Sequence, residues 1–201
     1  KSWHLGITVC EDIWVNEELQ EQRQIGPDPI AKFLDKEIDL LINLSASPFS
    51  KTKEALRECI AAKAALRIGC PFIYLNQVGG NDELIFDGSS FVLNANAELV
   101  LKLPSCKEAL TIWNTDYGMK QHKFPEASQE QKLFEALVLG VRDYANKCNF
   151  KSSIIGLSGG IDSSLVAVIA TAALGKNKVK GVMMPSPWSS AGSINDSLAL
   201  A

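Results

Sequence analysis

Hydrophobic positions along the chain fall into short runs with two different periods. Leu5–Cys10, Leu-Gly-Ile-Thr-Val-Cys, reads as a short strand. The stretch from Asp28 to Glu37 carries helix starters and a Leu/Phe face. "IDLLINL" (38–44) is nearly continuous and apolar, the mark of a strand covered on both faces. From Lys51 to Ile68 the period is helical, with Leu56, Cys59, Ile60 and Ala64 on one face and Gly69 placed to end it. "PFIYLNQV" (71–78) predicts another strand. "ELIF", the turn Asp87-Gly88 and "SSFVL" predict a hairpin. A second hairpin turns at "NANA" (94–97) into "ELVLKL" (98–103).

From Asn114 the sequence "NTDYGMKQHKFPEASQEQ" is polar and aperiodic, which predicts a linker over 116–130. A helix follows from about Lys132 to Lys147, with Leu133, Leu137, Gly140, Val141 and Tyr144 on its inner face. "SIIGLSGGIDSSLVAVIATAAL" (153–174) then runs strand, glycine turn, helix, and "KVKGVMMP" (178–185) is the next strand. Strand, helix, strand in that order is a βαβ unit, right-handed by default. The fold class is α/β.

Composition narrows this little. The 201 residues are 46% hydrophobic with net charge -3, which suits one domain or two small ones. The slight acidity gives no reason to expect nucleic acid or an anionic membrane as partner. No apolar stretch approaches the roughly 20 residues that span a bilayer. The chain starts at Lys1, and no signal peptide is visible. Five cysteines, without a CxxC spacing, argue against a disulfide framework and a zinc site and fit a reducing cytoplasm. The two histidines, His4 and His122, leave little room for a Ser-His-Asp or Cys-His system.

The turn Ser158-Gly159-Gly160-Ile161-Asp162-Ser163-Ser164 has the residues of an anion grip. Glycines allow positive φ and close backbone approach, and the helix N-terminus adds free N–H groups and a positive dipole end. Ser158, Ser163 and Ser164 add hydroxyls, and Asp162 can cap the helix or approach a magnesium ion. Neither GxxxxGK[ST] nor GxGxxG is present, so terminal phosphoryl transfer and dinucleotide redox chemistry lose support. The plain alternative is a capped helix after a glycine turn. SGGxDS after an apolar strand resembles the PP-loop of the ATP pyrophosphatase family. That resemblance implies ATP binding by Gly156, Leu157, Ser158, Gly159, Gly160, Ile161, Asp162 and Ser163. It also implies attack on the α-phosphorus, an adenylated intermediate and released pyrophosphate.

"GITVCEDIW" sets Cys10 where a strand stops and an acidic, helix-starting stretch begins. A helix N-terminus lowers a thiol's pKa, and the Glu11 N–H is placed to face an oxyanion formed at Cys10. The plain alternative is a packed core cysteine, the reading given to Cys59, Cys70, Cys106 and Cys148. Glu11 and Asp12 read as caps and ion-pair partners, and Trp14 as packing. Ser186, Ser189, Ser190 and Ser193 follow a strand end, where α/β proteins bind ligands, but a polar loop is the safer reading.

"CEDIW", "NLSASPF" (43–49) and "YLNQVGGNDELIFDGSSFV" (74–92) together resemble a nitrilase-type amidase domain (CN hydrolase), an α-β-β-α sandwich. More closely they resemble the glutaminase domain of the glutamine-dependent NAD synthetases. "FEALVLGVRDYANK" and "GVMMPSPWSSAGSINDSLALA", either side of the PP-loop, are similar to the same family. The resemblance implies the C-terminal part of that sandwich at 1–115, a linker at 116–130 and the start of a Rossmann-like PP-loop domain at 131–201. It implies a cytoplasmic, homo-oligomeric enzyme that takes glutamine, ATP with Mg2+ and deamido-NAD and yields NAD, AMP and pyrophosphate.

The family hydrolyses glutamine with a Glu-Lys-Cys triad. Cys10 matches its nucleophile, and Ser47 and Lys53 match positions that contact glutamine. A turn serine and a solvated helix lysine are their plain alternatives. The triad's glutamate and lysine lie well upstream in the family, and Lys1 is too near Cys10 to be that lysine. The resemblance therefore implies missing sequence before Lys1 and after Ala201. Two alternatives stay open: a different PP-loop amidotransferase, such as a GMP or asparagine synthetase, and a chain that catalyses nothing by itself.

Overall fold

The computed structural model describes residues 2–15, 27–115 and 127–201. Lys1, His122 and most of the expected linker (116–126) lie outside them. The chain divides into two units, Lys1–Gly79 with Ile85–Lys132, and Gly80–Leu84 with Leu133–Ala201.

The first unit is built on a five-stranded sheet in the order β1-β2-β3-β6-β7. Its strands are β1 (Leu5–Val9), β2 (Leu40–Ser45), β3 (Phe72–Asn76), β6 (Phe91–Leu93) and β7 (Leu99–Lys102). The first three are parallel, and β6 and β7 run antiparallel. Register aligns two buried rows across β1, β2, β3 and β6. One is apolar, Gly6, Leu41, Phe72 and Leu93; the other begins polar, Thr8, Asn43, Tyr74 and Phe91.

Helix α1 (Lys53–Ile68) packs on this face through Ile60, Ala61, Ala64 and Ala65, which share one core cluster with Leu41, Phe72, Tyr74, Phe91 and Leu93. Three alanines let the helix axis lie close to the sheet. Gly69, at φ +76, ends α1 by donating its N–H to Ala65. The buried stripe is rotated from the expected one, and Cys59 is exposed. The displaced position goes to Arg57, whose partners lie inside.

The double cover expected for 38–44 is seen only in part, with Leu40 and Leu41 buried at adjacent positions of β2. On β1 buried and exposed residues alternate, with Leu5, Ile7 and Val9 about half exposed, and Leu44 and Leu75 lie open on the same face. A strand with one side packed shows this period-two pattern. The expected helix over 28–37 is a single 3-10 turn, Ala31–Phe33, begun by the Asp28 carboxylate, which accepts the Ala31 N–H at 3.0 Å. Glu37 at φ +46 lies outside helical geometry.

The first expected hairpin pairs differently. "ELIF" contributes β5 (Leu84–Asp87), which pairs back with β4 (Val78–Asn81). Asp87-Gly88 instead redirects the chain into β6. Gly88, at φ +64, donates its N–H to Gln77, and a Cβ there would stand 2.5 Å from the Val78 side chain. The second hairpin joins β6 to β7 through 94–98 as expected.

Helix α2 (Gln129–Lys147), which belongs to the second unit from Leu133 on, starts within the expected linker, where Ser128 accepts the Gln131 N–H at 3.2 Å. Ala136, Leu139 and Ala145 are its buried residues, while Leu137, Val141 and Tyr144 are exposed. The inner side also carries polar work. Asp143 accepts the Gly80 N–H at 2.8 Å, Lys147 donates to the Gly80 carbonyl at 2.5 Å, and Gly140 lies under Gly80. Beyond it, β8 (Ser153–Leu157), α3 (Ile161–Leu174) and β9 (Val179–Met183) form the expected βαβ order, with β8 and β9 parallel. Helix α4 (Ala191–Leu200) follows. Among the described residues no helix is long and apolar enough to cross a membrane.

Candidate functional site

Parallel β1, β2 and β3 end on one edge of the first sheet, where α/β folds place ligands. Cys10 follows β1 directly and opens a 3-10 turn, Cys10–Ile13, with φ +51. Left-handed backbone on a non-glycine residue costs about 1–2 kcal/mol. The surroundings hold it there. Asp12 accepts the Val9 N–H at 2.8 Å, and Asn43 Nδ2 donates to the Cys10 carbonyl at 3.3 Å and to Thr8 Oγ1 at 3.1 Å. Ser45 Oγ in turn donates to Asn43 Oδ1 at 2.5 Å, so the amide's orientation is fixed.

Ser47 lies two residues past β2 and is 6% exposed. Its N–H donates to Asn76 Oδ1 at 2.8 Å, and its carbonyl accepts from Asn76 Nδ2 at 3.2 Å. Arg57, 1% exposed, donates Nε to Ser47 Oγ at 3.0 Å. Its Nη1 spans both oxygens of buried Asp87 at 2.9 Å, and its Nη2 reaches the carbonyls of Ser47 and Pro48 at 2.8 and 2.9 Å. Lys53, the first residue of α1, is half-buried and sets its ammonium 5.5 Å from the Trp14 ring centroid. Trp14 packs against the core cluster as expected and ends the turn that Cys10 begins.

Tyr74 is fully buried, stacked on Phe91 at 5.0 Å, and its hydroxyl has no hydrogen-bond partner among the described residues. Burial pushes its pKa up, against the opposing influence of the Ser45 hydroxyl, the Arg57 charge and the Ser47 hydroxyl. Among the other cysteines, Cys70 and Cys106 are buried as expected, while Cys148, like Cys59, is exposed. Burial raises the Cys70 thiol, which suits an inert core position.

Arg57, Asp87, Asn43, Tyr74 and Asn76 were not candidates in the sequence. One signal was present: Arg57 stands three and four positions before Ile60 and Ala61, so an arginine lies on the apolar stripe of a helix.

The glycine turn of the second unit joins β8 to α3. Gly156 and Leu157 close β8; Ser158, Gly159 and Gly160 turn; Ile161, Asp162 and Ser163 open α3. Gly159 has φ +78. The hydroxyls shape the turn itself. Ser158 Oγ accepts the Gly160 N–H at 3.3 Å and lies 3.0 Å from Ser163 Oγ. Ser163 Oγ accepts the Ser158 N–H at 3.2 Å and donates to the Gly160 carbonyl at 3.0 Å, which Ser164 Oγ also reaches at 2.9 Å. Asp162 is not the cap: the N-cap is Gly160, which has no side chain, and no side-chain cap bond is present. The first N–H groups of α3 therefore stay available to an anion. The later serines build local structure: Ser190 caps α4 by accepting the Ser193 N–H at 3.0 Å, and Ser186 pairs with Ser189.

Residues 133–201 match the NAD synthase family model. The chain is 47% identical to the glutamine-dependent NAD(+) synthetase of Synechocystis sp., over 100% of its own length and 37% of the relative's. It is 36% identical to that of Thermotoga maritima, over 98% of this chain and 39% of that one. Among solved structures, the glutamine-dependent NAD+ synthetase of Acinetobacter baumannii, in complex with adenosine diphosphate, superposes with a TM-score of 0.85 at 35% identity, covering 97% of this chain and 36% of that one. The chain spans little more than a third of the curated relatives it matches, and over that span it is similar, from end to end, to the glutamine-dependent NAD(+) synthetases.

Proposed function

We propose that the protein carrying this chain makes NAD by ATP-dependent amidation of deamido-NAD, with ammonia taken from glutamine. Residues 1–115 serve the glutaminase reaction, 131–201 serve the synthetase reaction, and 116–130 join them. Cys10 is the nucleophile. Its thiolate attacks the side-chain amide carbon of glutamine, the C–N bond breaks, and ammonia leaves with a proton from the surroundings. Water then cleaves the thioester to release glutamate. The Glu11 N–H faces the oxyanion, while Ser47 and Lys53 orient the amino acid, Lys53 by pairing with the α-carboxylate. The observation that carries this half is the positive φ of Cys10 at a parallel strand end, held by Asn43. Strain at a reactive side chain exposes it and persists only where the fold enforces it.

In the other half, the backbone of Ser158–Ser163 grips ATP while the nicotinate carboxylate of deamido-NAD attacks the α-phosphorus. Pyrophosphate leaves, and ammonia then displaces AMP from the adenylate. The uncapped start of α3 supports this reading. Among the described residues no cluster of three or more His, Cys, Asp and Glu side chains is placed to hold a metal. The donors present fit magnesium carried mainly by phosphate oxygens, with Asp162 beside it. Bound there, magnesium offsets charge on the leaving pyrophosphate. The compartment that fits is the cytoplasm.

The test offers glutamine and ATP·Mg to the full-length protein together with either deamido-NAD or xanthosine monophosphate. NAD is the expected product. Amidation of xanthosine monophosphate instead would move the protein to another class of amidotransferase.

A further inference from the structure

We propose that Arg57 is a positioning residue: held by Asp87, it fixes the Ser47 hydroxyl as a hydrogen-bond donor toward the ligand at Cys10. The inference rests on the glutaminase reading above and adds a direction to it. A guanidinium has five N–H donors and no acceptor. Here its nitrogens contact Ser47 Oγ, both Asp87 oxygens and the carbonyls of Ser47 and Pro48. Ser47 Oγ is therefore an acceptor toward Arg57, and its own proton must point elsewhere. The Ser47 backbone is pinned at the same time by Asn76, which takes its N–H and donates to its carbonyl.

Tyr74 supplies a second, independent observation. Its hydroxyl is fully buried, lies beside those of Ser45 and Ser47, and has no partner among the described residues. A buried hydroxyl left unsatisfied carries a desolvation cost, which a ligand oxygen arriving there offsets. The Ser45, Ser47 and Tyr74 hydroxyls influence one another without a well-formed bond at Tyr74, and a ligand acceptor among them, such as a carboxylate or carbonyl oxygen of an amino acid, would take a proton that Tyr74 or Ser47 does not place well here. A buried ion pair is a weak device for stability, since apolar replacements are often neutral or better. A leucine at position 57 would fill space but leave the Ser47 hydroxyl free to rotate.

The test labels Cys10 in the full-length protein with two electrophiles, followed by mass spectrometry. One is 6-diazo-5-oxo-L-norleucine, which carries the amino-acid end of glutamine; the other is iodoacetamide, which does not. Arg57→Lys keeps a charge for Asp87 but cannot reach Ser47 Oγ and the two carbonyls together. Arg57→Lys and Ser47→Ala should each slow the amino-acid probe about tenfold, the loss of one ordinary hydrogen bond. The double variant should be no slower than either single one, and iodoacetamide rates should stay within about twofold.

Additive losses, or equal slowing of both reagents, overturn the inference while leaving the glutaminase reading intact. A wild type that reacts with iodoacetamide but not with the amino-acid probe overturns the reading and the inference with it. Thermal melting accompanies each variant. If Arg57→Lys does not fold, the neutral pair Arg57→Gln/Asp87→Asn runs the same cycle. Failure of both to fold assigns the pair to stability alone and overturns its positioning role.

Discussion

The backbone of Ser193, in the first turn of α4, lies against Gly159: a Cβ on Gly159 would stand 2.6 Å from the Ser193 Cα and 2.7 Å from its carbonyl carbon. The turn is thus shaped from inside by its serines and from outside by a helix. Gly159→Ala meets both a left-handed φ, costing about 1–2 kcal/mol, and a backbone clash that no rotamer relieves. Calorimetric titration with ATP and magnesium should show affinity reduced at least about tenfold. Unchanged affinity would mean that α4 does not govern the grip.

Cys10→Ala in the full-length protein should remove glutamine-driven NAD synthesis by about a thousandfold or more while synthesis from added ammonium persists. The two assays run on one preparation. Loss of both activities, with the fold intact by circular dichroism, would count against a separate nucleophile role for Cys10.

Tyr74→Phe deletes the unpartnered hydroxyl and keeps the ring on Phe91. Removing an unsatisfied buried polar group should leave the unfolding free energy equal or higher by up to about 1 kcal/mol, and the melting temperature equal or slightly higher. The KM for glutamine should nevertheless rise several-fold. A lower melting temperature with an unaltered KM would make the hydroxyl purely structural.

Lys102 lies 2.6 Å from both Glu54 and Glu58, and Lys132 lies 2.8 Å from Glu54. Burial by itself raises the Glu54 carboxyl, but the hydrogen bonds and charges of the two lysines outweigh it and hold it below the usual 4.5. Burial by itself lowers Lys102, and the two glutamates outweigh that, holding it above 10.5. Glu54 thus contributes stability that is present above about pH 4.5 and is lost as pH falls through its depressed folded value. The Lys102 contribution holds below about pH 10.5 and fades as pH rises past its raised folded value. Glu54→Gln should cost on the order of 1 kcal/mol at neutral pH. In melts from pH 2 to 7, its deficit should shrink toward the acid end.

Most elements were readable because each carried its own local period or punctuation. Gly69 and Gly159 were readable for the same reason, being places where only one residue type meets the backbone's need. Pairing and helix phase were not. "ELIF" reads as a strand from its own residues, but its pairing partner does not: it pairs with β4, and Asp87, read as a turn residue, is buried against Arg57, thirty positions before it. The inner face of α2 was misread because Asp143 and Lys147 face the Gly80 backbone, which a count of apolar residues ignores. Cys10, Ser47 and Lys53 were candidates from motif alone; the side chains that hold Ser47 still were not, since Arg57, Asn76 and Asp87 meet only after folding.

The second unit is discontinuous: Gly80–Leu84 belongs with Leu133–Ala201, although both flanks of that short insert belong to the first. No single cut of the polypeptide can therefore yield both bodies whole. Cleavage between Lys132 and Leu133 would strand five residues on the wrong piece and deprive Asp143 and Lys147 of the Gly80 amide they hold. The two halves of this sequence have to be made, exchanged between relatives or divided for expression as one interleaved whole.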